Sequence, residues 1–331
     1  MTPKRAAVGL AALAALLALA LVFSVRFGAV ALDARAILRA LGGEGDPSTV
    51  AIVQGLRLPR AVQAALVGAA LAASGAAFQA LLRNPLADPY ILGVSGGAAV
   101  GAVGAVVLGW SGADVWVTPL AAFVGALVAI ALVLRIAVIV GHALDTRILL
   151  LAGVVVGAFF NACILLVLTF ADVESFRSAI FWMMGSLSSA TWTRALLLSA
   201  YLVPALILLL GMARALNLLA IGEETAAYLG TSVERTKLVA YAAASLLAAA
   251  AVAVSGVIGF VGLITPHVVR LIWGNDYRFL IPAATLLGAT FLLLADALAR
   301  TVAAPTELPV GVVTAFVGVP FFVWLLRRRG A

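Results

Sequence analysis

Long apolar runs separated by short polar stretches dominate the 331-residue sequence. A hydrocarbon core of about 30 Å needs about 20 apolar residues for each helix that crosses it. Runs of that length predict ten spanning helices, near residues 6–26, 58–82, 90–110, 116–140, 147–170, 192–213, 235–253, 256–273, 277–300 and 309–326. We therefore expect an all-α polytopic membrane protein with one transmembrane domain over residues 1–331.

Two places in this pattern depart from regular spans. Residues 235–273 form either two spans or one span and a re-entrant piece, because Ser255-Gly256 is the only break between them. Residues 176–188 are apolar but too short to cross a bilayer, so we expect a short extra helix there.

The first apolar run follows two basic residues, Lys4 and Arg5. It is long enough to span, and no clear small-x-small cleavage site follows it, so we expect a retained first helix and not a signal peptide. Ten spans place both termini on one side. That side then carries 13 of the 21 basic residues, including Arg327–Arg329, which predicts that it is cytoplasmic.

A weak internal repeat is visible in the small-residue pattern. The stretches GAALAASGAAFQ (68–79) and AAAVAVSGVIGF (249–260) both lead into Ser-Gly, which suggests related halves at approximately 57–170 and 235–326. Related halves are common in transporters. The same similarity also arises from the small residues that any packed membrane helix uses, so both interpretations stay open.

Composition supports the membrane class. The chain is 65% hydrophobic and 11% charged, with a mean hydropathy of +1.19, whereas a soluble domain has roughly a quarter charged residues. The net charge of +7 comes mainly from arginines scattered near span ends, without the basic clusters and interleaved aromatics that bind nucleic acid. We therefore predict no nucleic-acid partner.

Enzymatic chemistry has little support in the sequence. The single cysteine, Cys163, excludes an intrachain disulfide, and the two histidines have no partners at metal-ligand spacing. A phosphate-binding loop needs Gly-Lys followed by Ser or Thr, and neither lysine follows a glycine. Any ATP hydrolysis must therefore come from another polypeptide.

One short polar segment, GEETAAYLG from Gly222 to Gly230, interrupts the apolar sequence. Its helix formers lie between two glycines, which predicts a short helix capped at Gly230. Basic residues flank it on both sides, so it is expected on the cytoplasmic side, within a segment covering 219–231. It is either a site where a partner pushes on the protein or a plain connector.

Two groups of charged residues lie near predicted span ends. Asp296 and Arg300 are four residues apart with the acid first, which favours a salt-bridged helix end over an ion relay. In LRLPR, Arg57 and Arg60 are expected at a helix start, with both guanidiniums available to carboxylates of another molecule. Carboxylates near mid-span are scarce, which counts against an ion-coupled carrier.

Several stretches together resemble the permease subunits of type II ABC importers, which take up vitamin B12, heme and ferric siderophores. The resemblance runs the length of the chain. It is carried by residues 56–98, by FWMMGSL (181–187), by GEETAAYLG, by GVIGFVGLITPHVVRL (256–271) and by residues 294–326.

The resemblance implies a homodimer of ten-helix subunits in a bacterial or archaeal cytoplasmic membrane. Two ATPase subunits would dock on the cytoplasmic side, and a periplasmic or lipid-anchored substrate-binding protein would dock outside. No cofactor is expected in this chain, because ATP and Mg²⁺ would bind to the ATPase. The short polar helix then resembles the coupling helix that fits a cleft in the ATPase.

The resemblance also assigns roles to individual residues. Those for ATPase coupling are Gly222, Glu223, Glu224, Ala226, Ala227, Leu229 and Gly230, and those for docking of the binding protein are Arg57, Arg60 and Arg300. The cytoplasmic gate would use Asn84, Pro85, Leu86, Leu144, Asp145 and Thr146, although Asp145 departs from the small hydroxyl residues of relatives. The pathway would be lined by Asn161, Thr169 and Arg177. For Arg177, a local pair with Asp172 or Glu174 is favoured over contact with an anionic cargo.

The expected function is ATP-driven import of a metal chelate by alternating access. Heme or a ferric siderophore is favoured, with vitamin B12 close behind. An apolar pathway is expected. The alternative is an ion-coupled secondary transporter that works without an ATPase.

Overall fold

The computed structural model describes residues 2–28, 32–112, 114–141 and 144–329. Within these ranges the regular elements are helical. The α-helices are α1 (Pro3–Arg26), α2 (Ala34–Leu41), α3 (Pro47–Val50), α4 (Leu58–Leu81), α5 (Val94–Val107), α6 (Val117–Gly141), α7 (Thr146–Leu168), α8 (Val173–Met183), α9 (Trp192–Gly211), α10 (Ala213–Ile221), α11 (Glu223–Tyr228), α12 (Val233–Ser255), α13 (Val261–Trp273), α14 (Tyr277–Thr301) and α15 (Val310–Arg329).

The apolar helices match the ten predicted runs. In the described residues, seven helices are long and apolar enough to cross a membrane, and α5, α13 and α15 are shorter apolar helices. The predicted extra helix is α8, which begins at Val173 because the Asp172 side chain accepts a hydrogen bond from the Ser175 N–H and caps it. The predicted all-α membrane fold is confirmed.

The second span begins earlier than LRLPR. Its helix is continuous from Pro47 to Leu81, and a π-helical turn, Ala51–Arg57, precedes α4. The prediction that Arg57 and Arg60 lie at a helix start was therefore wrong. A proline ring collides with the carbonyl four residues before it in an α-helix, and the wider π-helical turn before Pro59 accommodates the ring.

The eighth predicted span is shorter than expected. The helix α12 ends at Ser255, as the Ser255-Gly256 break predicts, and the left-handed Gly256 (φ +68°) starts a non-helical stretch before α13. With 13 residues, α13 is about 20 Å long, which is less than the hydrocarbon thickness. Residues 235–273 thus form one full-length helix and one short helix.

The helix α4 lies at the centre of the bundle. It packs against α14, α12, α13 and α9. In the apolar 18-residue stretch of the helix Pro47–Leu81, 83% of the residues are buried, compared with 17% in the corresponding stretch of α1. At Gly68 and Gly75 the backbone approaches Gly288 of α14 and Gly262 of α13 so closely that a Cβ would collide with the carbonyl of the facing glycine. Such close approach holds helices together where lipid supplies no hydrophobic drive.

The proposed repeat has its two Ser-Gly pairs in different settings. Ser74 is in the interior of α4, where its hydroxyl donates to the Ala244 carbonyl (2.7 Å). Ser255 is the last residue of α12 and its hydroxyl donates back to the Ala251 carbonyl (2.8 Å). The two-half organisation stays a prediction.

Substituting Gly75 by alanine is expected to destabilise the bundle. The added Cβ would meet the Gly262 backbone, and forced overpacking of this kind costs roughly 1–3 kcal/mol. Gly104→Ala is the matched control, because no atom lies within 4 Å of its added Cβ. Thermal unfolding in detergent should show a lower midpoint for Gly75→Ala only, and equal midpoints for the two variants would contradict the packing account.

Candidate functional site

The polar segment forms the short helix α11 with the predicted end. The Gly230 N–H bonds to the Ala227 carbonyl and the Thr231 N–H bonds to the Ala226 carbonyl, both at 2.9 Å. Gly230 has a φ of +83°. These two bonds and the left-handed glycine define a Schellman C-cap, so the predicted helix end at Gly230 is confirmed.

The helix α11 is attached to the bundle on one side and exposed on the other. Ala226 is fully buried, and α11 packs on α10 and α12. Its tip is uncovered, with Tyr228 90% and Leu229 62% exposed. Glu224, Ala227 and Gly230 are exposed as well, and Gly222 is half-buried. An aromatic and an aliphatic side chain thus project together from this end of the molecule.

The Glu223 carboxylate contacts three separate segments. Its Oε2 lies 2.8 Å from Nζ of Lys237 in α12. Its Oε1 lies 3.2 Å from Oγ1 of Thr146, the first residue of α7, and 3.7 Å from Nη2 of Arg83, just after α4. The Lys237 side chain is only 3% exposed. We call the set of Glu223, Lys237, Thr146 and Arg83 the Glu223 junction.

The two predicted gate segments both adjoin this junction. Thr146 Oγ1 also lies 3.3 Å from the carbonyl of Leu81, at the end of α4. In the turn that follows, the Leu86 N–H donates to Asn84 Oδ1 (2.9 Å), and Pro85 is half-buried. The structure therefore brings the end of α4 and the start of α7 into contact next to α11.

The remaining predicted gate residues, Leu144 and Asp145, make local contacts at the start of α7. Leu144 is buried, and its N–H points to Glu234 Oε2 at 3.4 Å. Asp145 caps α7 through its Oδ1, which accepts from the Arg147 N–H (2.6 Å). That hydrogen bond holds the pKa of the Asp145 carboxyl below its usual range. A polar cavity of about 530 Å³ lies here, lined by residues 83, 145–147 and 221–225.

A second charged cluster lies at the other end of α4, roughly 30 Å away along the helix. Arg57 Nη1 donates to the carbonyls of Val25 (2.8 Å) and Arg26 (3.0 Å). Arg300 Nη2 donates to the carbonyl (3.3 Å) and to the hydroxyl (2.9 Å) of Ser24. The last carbonyls of a helix have no partner within it, so both arginines stabilise the C-terminal end of α1.

Arg60 joins two acids of this cluster. Its Nε and Nη2 bind Asp296, which is fully buried, and its Nη1 lies 2.9 Å from Oε2 of Glu307, which is 41% exposed. Asp296 also pairs with Arg300 at 3.0 Å, so the predicted helix-end salt bridge is confirmed. All three predicted docking arginines therefore have internal partners, and their docking role stays a prediction.

The predicted pathway residues lie on the exposed surface of α7 and α8. Asn161 is exposed, and the Thr169 hydroxyl donates to the Leu166 carbonyl (2.6 Å). The Arg177 guanidinium lies over the ring of Phe181, 5.6 Å from its centroid, and not against Asp172 or Glu174, so the favoured local pair was wrong. Their pathway role stays a prediction.

A cavity of about 840 Å³ lies at the arginine end of the molecule. Its lining combines apolar side chains with many hydroxyl groups, and the expected apolar pathway stays a prediction. Seven serines contribute to it: Ser111, Ser175, Ser178, Ser186, Ser188, Ser189 and Ser255. Acidic and basic side chains, Asp114, Glu174, Arg194 and Glu307, complete the polar wall.

Sequence reasoning missed Lys237 and Glu307 as members of these clusters. Lys237 had a possible signal, because it is one of only two lysines and lies early in an apolar helix. No sequence signal linked Glu307 to Arg60, because the two residues are 247 positions apart in the chain.

Comparison with known proteins identifies the family. The model of the FecCD transport family matches residues 16–328. This chain belongs to the FecCD transport family. It is 47% identical over 286 residues to the cobalamin import system permease protein of Halobacterium salinarum, covering 86% of this chain and 76% of the relative.

Two further comparisons extend the FecCD assignment. The chain is 41% identical over 282 residues to the hemin transport system permease protein of Yersinia pestis, covering 83% of this chain and 82% of that protein. Its fold matches the solved structure of a transporter assigned to the metal-chelate type of ABC transporters, in an inward-facing conformation. The TM-score is 0.87 at 32% identity, covering 99% and 100% of the two chains. The protein is thus a membrane permease of the ABC importer class.

Proposed function

We propose that this permease imports a metal chelate across the cytoplasmic membrane by alternating access, driven by a separate ATPase. Heme or a ferric siderophore is the favoured cargo, with vitamin B12 next. The observation that carries the proposal is α11, whose exposed Tyr228 and Leu229 offer a surface to a partner. Its Glu223 contacts Thr146 of one predicted gate segment and Arg83, which directly precedes the other. ATP binding in the partner would move α11 and thereby open and close the pathway.

The proposed complex contains two copies of this chain, two ATPase subunits and a substrate-binding protein. Both termini and α11 face the cytoplasm in this arrangement. The charged cluster of Arg57, Arg60, Asp296, Arg300 and Glu307 faces outward. Exposed apolar side chains on α7, such as Leu151 and Phe159, contact the second copy or lipid. The large serine-lined cavity lies on the side that would receive cargo.

The chemistry of that cavity supports a chelate rather than a purely apolar cargo. Serine hydroxyls both donate and accept hydrogen bonds, which suits the amide and carboxylate groups at the edge of a large chelate. Two similar permeases are named for cobalamin and hemin, which supports a tetrapyrrole-sized cargo without choosing between them.

Stimulation of ATP hydrolysis by cargo tests the function. The permease–ATPase complex would be reconstituted in liposomes with its binding protein, loaded in turn with heme, cobalamin and a ferric siderophore. We expect one of these to raise the hydrolysis rate and to accumulate inside the liposomes. Uptake by the permease alone, driven by a proton or sodium gradient without ATP, would contradict the proposal and favour the secondary transporter.

Docking of the binding protein should depend on Arg60 and be opposed by Glu307. The Arg60 side chain is 13% exposed, its Nε and Nη2 bind Asp296, and its Nη1 binds Glu307. A partner carboxylate would therefore have to displace Glu307. Glu307→Gln is expected to tighten binding up to about fivefold, since an exposed ion pair is worth roughly 0.2–1 kcal/mol. The measurement is the Kd of the binding protein for the permease in nanodiscs, at low and high salt.

Two controls separate this competition from a general charge effect. Glu44→Gln makes the same charge change at an exposed position at the same end of the molecule, and should leave Kd nearly unchanged. In an Arg60→Gln background, Glu307→Gln should no longer tighten binding. Equal effects of the Glu44 and Glu307 changes would show that Arg60 does not accept a partner carboxylate in place of Glu307.

A further inference from the structure

We infer that the Glu223 carboxylate transmits movement of α11 to the gate segments, and that Lys237 is the positioning residue that holds this carboxylate in place. The inference rests on the proposed function and assigns the transmission step to one side chain. It is carried by the contacts of the Glu223 junction.

On the side that faces Thr146 and Arg83, α11 has little other attachment to the bundle. It is a six-residue helix with one buried residue, Ala226. Its side-chain contacts with α7 and with the turn after α4 both run through Glu223, to Thr146 and to Arg83. A displacement of α11 therefore reaches these two segments through the Glu223 side chain.

The second step concerns Lys237. Its ammonium group is almost completely buried, and a buried charge is costly unless it is paired. The 2.8 Å contact with Glu223 Oε2 supplies that pairing. Because Oε2 is fixed in this way, Oε1 is turned towards Thr146 and Arg83. Lys237 thus orients the carboxylate from the α12 side.

The third step is the geometry at Thr146. Its hydroxyl lies 3.2 Å from Glu223 Oε1 and 3.3 Å from the Leu81 carbonyl. Both partners are acceptors and the hydroxyl has one proton, so a full hydrogen bond forms to only one of them at a time. A small movement of α11 can therefore pass the bond from Glu223 to Leu81 without leaving the buried hydroxyl unpaired. This exchange gives the gate contact two discrete arrangements.

The opposing interpretation is that Glu223 only neutralises a buried lysine. Both interpretations predict a loss of stability when the pair is broken. They differ in the amount of cargo moved per ATP hydrolysed, because neutralisation alone has no effect on that ratio once the complex is assembled.

The test uses the reconstituted permease–ATPase–binding-protein complex with whichever of heme, cobalamin or ferric siderophore the wild type transports. In Glu223→Gln, cargo uptake per ATP hydrolysed is expected to fall by about tenfold, as for loss of a charged hydrogen bond. Glu44→Gln is the matched variant: it makes the same charge change at an exposed position far from α11 and the gate segments, and should keep the wild-type ratio. A wild-type ratio in Glu223→Gln overturns the inference.

Lys237 and Thr146 supply independent variants. Lys237→Arg should retain the wild-type cargo uptake per ATP hydrolysed, and Lys237→Met should lower it. Thr146→Val keeps the Glu223–Lys237 pair and the side-chain shape but removes the hydroxyl, so it decides the question if Glu223→Gln does not assemble. A reduced ratio in assembled Thr146→Val supports transmission, and an unchanged ratio contradicts it. Absence of ATP-driven uptake in the wild type would instead refute the proposed function.

Discussion

Close backbone approach along α4 is the constraint on which the rest of the structure depends. In lipid there is no hydrophobic driving force for apolar helices to associate, so van der Waals packing over close contacts must hold them together. Gly68 and Gly75 let α4 touch α14 and α13 through their backbones. That central packing fixes the two ends of α4, and each end carries one of the two polar clusters.

The two clusters differ in how they use charge. At the Arg60 end, Asp296 is enclosed by Arg60 and Arg300, and Arg57 and Arg300 donate to the last carbonyls of α1, so these charged groups have partners within the chain. At the other end, the Glu223 carboxylate joins segments that are distant in sequence, and the adjacent helix tip is uncovered. The first arrangement favours rigidity, and the second is the basis of the proposed transfer of movement from a partner.

Local patterns in the sequence predicted much of this structure. Apolar run length gave the spans, a glycine gave the end of α11, and the four-residue spacing of Asp296 and Arg300 gave their salt bridge. These features depend on neighbours in the chain. The π-helical turn before Pro59 was not predicted, because it is a response of the backbone to the proline that apolar periodicity does not record.

Contacts between distant residues could not be predicted in the same way. Arg60 reaches Asp296 over 236 residues, and Thr146 reaches Glu223 over 77. No spacing rule links such positions, so Arg57 and Arg60 were expected to be available to another molecule, and the contact of Lys237 with Glu223 was missed. The resemblance located the segments, but only the packed bundle shows which atoms meet.

Distances between spin labels during the ATP cycle test most directly whether α11 drives the gate. Labels at Thr225→Cys and Arg147→Cys, with Cys163 replaced by serine, report the distance between α11 and the start of α7, and both sites are exposed. Paired Arg147→Cys labels on the two copies report gate movement. We predict that ATP binding changes the distance between copies while the distance within each copy shifts only slightly. A large shift of α11 relative to α7 with no change between copies would contradict the account.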